Sequence, residues 1–309
     1  MTLRLGIVVP TWNRGASAAR CVQALAPVLS GDHFVVVVDS ASRPDERAIL
    51  ETELATGAVP SSAVTILSLP QNLGFAGAVN AGVVVAFERG ADAVLVVNDD
   101  ALLDGPSIEI LSAVAATPGV GIVAPRVVDE VSGLEVSRGE RVLVPLLCLP
   151  RQWLRVRHSD STPYEVSGVQ GVAFVVTRAC FETVGLLAEP FFAYYEEVDY
   201  CLRVRAAGMR IVVAPAAIVR HAGSRGFVGG FTPLAAYLKT RNLPIVARRH
   251  GSLLSWIVFV PTYLALVLTS ALLYLMRGDR GIVLAQLRGL VDALRARSGP
   301  PPTTVIGRP

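Results

Sequence analysis

Two short acidic runs and one histidine are the residues of this sequence best equipped for chemistry. Asn98-Asp99-Asp100 follows the apolar stretch 93–97, so its side chains would emerge where a buried strand ends. Two adjacent carboxylates beside an amide are hard oxygen donors suited to Mg²⁺ or Mn²⁺, and an ion held there would offset the charge of a diphosphate. The same trio is also ordinary turn and cap chemistry. The second run, Glu196-Glu197-Val198-Asp199, comes just after the aromatic stretch Phe191-Phe192-Ala193-Tyr194-Tyr195. Carboxylates at a helix start suit the helix dipole. Set against Phe and Tyr they would also be desolvated, and desolvation with like charge lifts a carboxyl pKa toward the range of a general base. His221 follows Ile218-Val219-Arg220 and reads either as a structural histidine or as a metal ligand. The loop after it, Gly223-Ser224-Arg225-Gly226, carries a cation that could close over phosphates.

A fourth feature is Gln71-Asn72-Leu73-Gly74-Phe75-Ala76-Gly77-Ala78-Val79-Asn80, a glycine-containing loop that runs into a helix and can offer backbone N–H groups to an anion. It lacks the GxGxxG spacing, and no GxxxxGK[ST] occurs, so neither a dinucleotide site nor a P-loop is supported. A nucleotidyltransferase would need a Gly-rich basic loop after the first strand, where this chain reads Thr11-Trp12-Asn13-Arg14-Gly15.

These groups need a scaffold, and the first hundred residues read as one. Apolar runs at 5–9, 34–38, 64–67 and 93–97 are rich in Val and Ile without polar alternation, as in strands buried on both faces. Helix-length stretches at 16–29, 45–55 and 77–88 separate them. Alternation of this kind implies a doubly wound, mostly parallel α/β sheet, with ligands at the carboxyl ends of its strands. Further on, 120–126 reads as a strand, 131–144 as a hairpin or excursion, and 151–163 as a loop. The stretch 166–177 is strand-like, 195–207 helical, and 211–214 a short strand ending at Pro215.

Beyond residue 230 the character changes. The stretch 252–276 holds 25 residues without a charge, long enough to cross a bilayer. Pro261 predicts a kink or re-entrant turn within it. Arg248 and Arg249 flank one side, Arg277 and Arg280 the other, which argues against a simple single pass and for a hairpin or shallow insertion. Val283, Leu287, Leu290, Val291 and Leu294 then share a helical face opposite Arg288, Asp292 and Arg295, the pattern of an interfacial amphipathic helix. The last residues, 298–309, read as a loose tail.

Composition sets the outer limits. Of 309 residues, 52% are hydrophobic and 17% charged, which excludes a disordered chain. A net charge of +3 is too slight to argue for nucleic acid, though it permits a membrane surface. Cys21, Cys148, Cys180 and Cys201 stand far apart, without a CxxC pair. They read as reduced, mostly buried thiols of a cytosol-facing protein rather than a zinc site or disulfide framework. The N-terminus runs straight into an apolar strand, so no signal peptide is expected.

Taken in order, the pieces resemble a known family: Val8-Val9-Pro10-Thr11-Trp12-Asn13-Arg14, Val38-Asp39-Ser40-Ala41-Ser42, Asn72-Leu73-Gly74-Phe75-Ala76 with Asn80, Asn98-Asp99-Asp100, the stretch GVAFVVTR at 171–178, FFAYYEEVDYCLR at 191–203, and His221. The chain resembles the family 2 inverting glycosyltransferases of GT-A fold, in particular their bacterial rhamnosyltransferase-like branch, over about residues 5–249. The resemblance implies a GT-A (Rossmann-like) catalytic domain, 1–230, and a C-terminal helical membrane-associating region, 231–309. It implies that Pro10, Thr11 and Asn13 line the nucleotide pocket and that Asp39 meets the pyrimidine base. Asn72, Gly74, Phe75, Ala76 and Asn80 would shape the nucleotide and sugar side. Asn98-Asp99-Asp100 stands at the DxD-type position, with Asp99 near ribose or sugar and Asp100 on Mg²⁺ or Mn²⁺. His221 matches the metal-binding histidine, and Glu197, with Asp199 in the same catalytic group, stands where the family carries its base. Implied partners are a nucleotide-diphosphate sugar (dTDP-rhamnose or a UDP-sugar), a glycan or polyprenyl-diphosphate-linked acceptor, and the cytoplasmic face of a cell membrane, in cell-envelope polysaccharide synthesis. Three departures stand out: Glu197 for Asp, Ala188 where the family often has Asp, and Asn98 for a first Asp. They motivate the alternative of a non-catalytic sugar-nucleotide-binding or scaffold member.

Overall fold

The computed structural model describes residues 2–29, 31–142, 150–151, 160–222 and 232–302. Cys148, the loop at 223–226, most of the 151–163 loop and the end of the tail lie outside the described residues.

The chain opens with β1 (Leu5–Thr11), α1 (Gly15–Ala24), a single turn α2 (Ala26–Leu29), β2 (Phe34–Asp39), α3 (Pro44–Thr56), β3 (Val64–Ser68), α4 (Gly74–Glu88) and β4 (Ala93–Val97). Next come β5 (Ala101–Leu103), α5 (Gly105–Ala115), β6 (Val120–Asp129), β7 (Glu135–Ser137), β8 (Arg141–Val142), β9 (Pro150–Arg151), β10 (Tyr164–Val166) and β11 (Ala173–Thr177). The remainder is α6 (Arg178–Val184), α7 (Glu196–Ala206), β12 (Arg210–His221), α8 (Pro233–His250), α9 (Leu253–Met276) and α10 (Arg280–Leu294).

One sheet runs β10-β12-β6-β11-β4-β1-β2-β3, with β5 on β12 and β7 on β6. The pairs β4–β1, β1–β2, β2–β3 and β6–β12 are parallel, while β11 lies antiparallel between β4 and β6. The valine-rich strands follow from burial on both sides. Leu5, Ile7 and Val9 of β1 face the core under α1, α3 and α5, whereas Val8 faces the core under α4, α6 and α7. A strand with core on both faces has no place for polar alternation.

Three expectations need revision. The 211–214 strand does not stop at Pro215 but continues to His221. Its pairing with β6 jumps from Ala214 opposite Pro125 to Ile218 opposite Arg126, so 215–217 form a bulge that absorbs the proline. Residues 166–177 are not one strand, since β10 and β11 lie in different parts of the sheet. Finally, α9 runs through Pro261 as one helix of 24 residues, without the re-entrant turn.

Helix α9 puts Phe259, Tyr263 and Val267 against Phe191, Val198, Leu202, Leu243 and Val246. Its other face is open: Leu253 is 88% and Ile257 71% exposed. The mean hydropathy of its most apolar stretch is 2.0, and by length and composition it could cross a membrane. Helix α10 packs on α8 through Ile282, Ala285, Gly289 and Ala293. Gly289 is required there, because a Cβ would come within 2.5 Å of Tyr237 O. The Tyr237 hydroxyl donates to Asp292 at 2.8 Å, and Leu284, Leu287, Val291 and Leu294 are left facing outward.

Candidate active site

The carboxyl ends of β1 and β4 meet the far end of β12 at one edge of the sheet. Thr11, last in β1, donates its hydroxyl to Asp99 Oδ2 at 2.8 Å. Arg14, just ahead of α1, reaches Asp99 Oδ1 at 3.1 Å and Asp100 Oδ2 at 3.2 Å. His221 Nε2 lies 3.0 Å from Asp100 Oδ1. The backbone fixes this meeting: His221 pairs with Ala101 across β12 and β5, and Ala222 N donates to Asp100 O. Asn98 closes the turn, its N–H donating to Val172 O and its carbonyl accepting from Ala101 N.

The two aspartates are shifted in opposite directions. Burial pushes the Asp99 carboxyl up to about 6, outweighing the pull of Arg14 and Thr11. Burial acts upward on Asp100 as well, but hydrogen bonds and charge from His221 and Arg14 hold it below the usual carboxylate range. Burial lowers Arg14 too, yet the two aspartates outweigh it and leave the guanidinium firmly charged.

The residues expected on the donor side are placed as follows. Pro10 and Thr11 end β1 beside Val38 and Asp39 of β2. Asn13, in a left-handed conformation (φ 54°), accepts from Arg43 N through Oδ1 and donates its own N–H to Ser42 Oγ. Asp39 is buried, and its Oδ1 accepts from Ser42 N. Asn72 Oδ1 accepts from Gly74 N, which starts α4 at φ 72°. These groups lie along the same strand ends. Phe75, half-buried in the first turn of α4, packs against the core on that side of the sheet. Asn80 is buried, donates from Nδ2 to Leu187 O and Glu189 Oε1, and accepts from Leu187 N, so it stitches α4 to the 187–189 loop.

Glu197 comes from α7. A Cβ on Gly171 would touch its side chain at 3.7 Å, and Gly171 precedes Val172, the residue that binds Asn98 N. The Glu197 side chain therefore lies beside the segment that binds the Asn98 turn. Glu196 Oε2 and Glu197 Oε2 are both buried without a hydrogen-bond partner. Burial first, and for Glu196 the neighbouring Glu197 charge, push both carboxyls upward, with Glu196 well above the usual range. A buried acceptor without a donor needs an explanation, and a substrate hydroxyl is one.

Asp199 is placed otherwise. It is 0% exposed and surrounded by basic side chains, with Arg203 at 2.9 Å, Arg249 at 2.6 Å and His250 at 2.7 Å. Burial acts upward on its carboxyl, but His250 and the two arginines hold it below the usual range. Its oxygens are committed to joining α7 to the end of α8. Three groups carry local weight that was not assigned to them: Arg14, which ends the opening motif without a role, and Asn242 and the Arg249-His250 pair, which no motif contains. Each acts on a residue dozens of positions away, and spacing along the chain does not register that.

Two protein donors 3.0 Å apart, a carboxylate and an imidazole, suit a hard divalent ion whose other positions come from phosphate and water. Among the described residues no three His, Cys, Asp or Glu side chains gather into a self-sufficient metal site.

The mostly parallel sheet with acidic groups at its carboxyl edge and helices on both faces is shared with solved glycosyltransferases of GT-A fold. A mannosyltransferase from Pyrobaculum calidifontis, solved with GDP-Man and Mn²⁺, matches with TM-score 0.57 and 16% identity over 95% of this chain and 88% of that one. GalNAc-T7, solved with UDP, GalNAc and Mn²⁺, matches at TM-score 0.58 and 16% identity over 71% of this chain and 43% of that one. The profile of glycosyltransferase-like family 2 matches residues 4–242, and the chain belongs to that family. Among its relatives are the dTDP-rhamnosyl transferase RfbF of Shigella flexneri, 24% identical over 70% of this chain and 71% of the relative. The N-acetylglucosaminyl-diphospho-decaprenol L-rhamnosyltransferase of Mycobacterium tuberculosis is 27% identical over 81% of this chain and 87% of the relative. The pre-mycofactocin glycosyltransferase of the same species is 28% identical, and this chain spans 52% of its length.

Proposed function

We infer that this glycosyltransferase moves a rhamnose-like sugar from a nucleotide diphosphate, with inversion, to a hydroxyl of a glycan or polyprenyl-diphosphate-linked acceptor. The observation that carries the reading is the pair of buried carboxylate oxygens on Glu196 and Glu197 that have no hydrogen-bond partner, with the Glu197 side chain against Gly171, next to the residue that binds the Asn98 turn. The strand ends around Thr11, Asn13, Asp39 and Asn72 bind and orient the nucleotide. Arg14 lays fixed positive charge along this edge, where a diphosphate gathers negative charge as it leaves. Asp100 and His221 would hold Mg²⁺ or Mn²⁺, which when bound adds Lewis-acid stabilisation of the leaving diphosphate. Glu197 takes the proton from the acceptor hydroxyl, and desolvation keeps its carboxylate basic enough to do so. The hydroxyl oxygen bonds to the anomeric carbon as the bond to the diphosphate breaks, so one displacement inverts the centre and no protein nucleophile is required. The rhamnosyl relatives support dTDP-rhamnose as donor, and the decaprenol-linked relative supports a lipid-linked acceptor in cell-envelope polysaccharide synthesis. The open apolar face of α9 supports placement at the cytoplasmic face of the membrane, where both substrates would be within reach.

The test is a thermal-shift screen of dTDP-rhamnose, UDP-sugars and GDP-sugars with and without Mn²⁺, followed by nucleotide release with the best donor. A ligand that binds only the folded state raises the melting temperature. A shift with one class, strengthened by Mn²⁺, and turnover of that donor are expected. If no nucleotide sugar shifts the melting temperature, the assignment fails.

A further inference from the structure

The residues just ahead of the paired glutamates follow a path that L-residues avoid. Phe192 has φ 65° and ψ −63°, and Ala193 N donates to Phe191 O at 2.8 Å, a γ-turn of the rare positive-φ hand. Tyr194 (φ 67°) and Tyr195 (φ 73°) follow in the left-handed region. None of the three is Gly or Asn, so the path must be imposed from outside the segment.

The grip comes from α8. Asn242 is 0% exposed, and its Nδ2 lies 2.9 Å from Phe191 O, 2.8 Å from Ala193 O and 3.0 Å from Tyr194 O. Arg241 donates to Asn242 Oδ1 at 2.9 Å, which sets the way the amide faces, and to Phe191 O at 3.1 Å. On the opposite side Ala76 N of α4 donates to Phe192 O at 3.2 Å. A Cβ on Gly74 would come within 2.4 Å of that same oxygen. The turn is therefore wedged between the donor-side start of α4 and the amide of α8, and α7 with Glu197 begins where it ends.

We propose that Asn242 is a positioning residue for Glu197: it holds the left-handed 192–195 turn against α4, so that α7 starts with Glu197 directed at the Asp100–His221 edge. The proposal rests on the reading of Glu197 as the base. It separates Asn242 from an ordinary buried hydrogen bond, because its loss disturbs the aim of one carboxylate rather than the fold as a whole.

Three variants test this: Asn242→Ala, Tyr195→Asn, and the two combined. Asn tolerates the left-handed conformation that Tyr195 is forced into, so the double variant keeps the turn with less help from α8. The assay is dTDP release from dTDP-rhamnose with Mn²⁺, water serving as acceptor. Asn242→Ala should lower kcat by about tenfold or more, short of the ~10²-fold that an ångström of misplacement can cost. The donor KM should stay within about threefold, since donor contacts are untouched. The double variant should regain about threefold of the lost kcat or more. Hydrogen exchange of the 192–197 amides should accelerate by about tenfold or more in Asn242→Ala, with β1 and β4 unchanged. An unchanged kcat overturns the proposal, as does a loss that merely tracks the folded fraction and is not recovered in the double variant. Unchanged exchange at 192–197 overturns it whatever the activity. A wild-type protein that releases no nucleotide from any donor would instead sink the transferase reading, while the exchange measurement still decides whether Asn242 grips the turn.

Discussion

At the scale of single residues the site is a contrast between satisfied and unsatisfied carboxylates. Asp100 has His221 and Arg14, whereas Glu197 Oε2 has no hydrogen-bond partner, with the charge of Lys239 favouring its anion. General-base assistance is worth roughly 10²–10⁴-fold. Glu197→Ala should therefore cut nucleotide release by about that factor while the donor-induced melting shift is retained; an active Glu197→Ala would remove the assignment. The pH dependence follows from the direction of the shift. A base works as its anion, and burial raises the Glu197 carboxyl, so kcat should fall as pH drops through a value above the ordinary glutamate range of about 4.3. A pH–rate profile of the wild type should show this acid limb. Asp100→Ala should leave the fold intact and abolish the extra melting shift that Mn²⁺ gives the donor, read in the same screen. Asn98-Asp99-Asp100 and His221 were legible as candidates because each follows an apolar strand. That they meet at 3.0 Å depends on β5 and β12 pairing, which no spacing in the chain announces.

Among elements, the junction of α7 with α8 does the most. Asp199 of α7 binds Arg249 and His250 at the end of α8, and Arg203 one turn along α7. Its carboxyl is held below the usual range, so its contribution to stability is present above the unfolded value of about 3.9 and is lost as pH falls through the lower folded value. Asp199→Asn should cost about 2 to 3 kcal/mol, less than for a wholly dry pair because Arg249 is 41% exposed. Urea denaturation should show that cost near pH 7 and a narrowing difference toward pH 3. The four strands of the first hundred residues were legible to within two residues, because a doubly buried strand such as β1, β2 or β4 must be a run of Val, Ile and Leu. Helix α4 starts at Gly74 rather than 77, since the Asn72 side chain accepts from Gly74 N at a positive φ where only glycine fits against Phe192. The partners of Asn80 and Asp199 were not legible. A buried amide that stitches two segments and one that lines a pocket look alike in a motif.

For the molecule as a whole, the C-terminal helices are not an appendage. Tyr263 of α9 donates to Thr240 O, Asp292 of α10 accepts from Tyr237, and Arg248 donates to Ala293 O, so α8, which grips the turn before Glu197, is itself held by both. Removing 252–309 would therefore strip the support of α8, and surface substitutions are the cleaner probe of membrane contact. Leu254→Glu with Ile257→Glu, both on the open face of α9, should abolish cosedimentation with vesicles of anionic lipid and leave donor binding as it was. If the unaltered protein stays in the supernatant, the membrane placement is wrong. One last consequence belongs to the bulge in β12. Side chains along a strand alternate in direction, so the three surplus residues at 215–217 set which way His221 faces when it arrives beside Asp100. An insertion or deletion of a single amino acid there that pushed the pairing of 218–221 one step along β6 would hand the imidazole to the wrong side of the sheet, making this short kink a place where the gene must keep count.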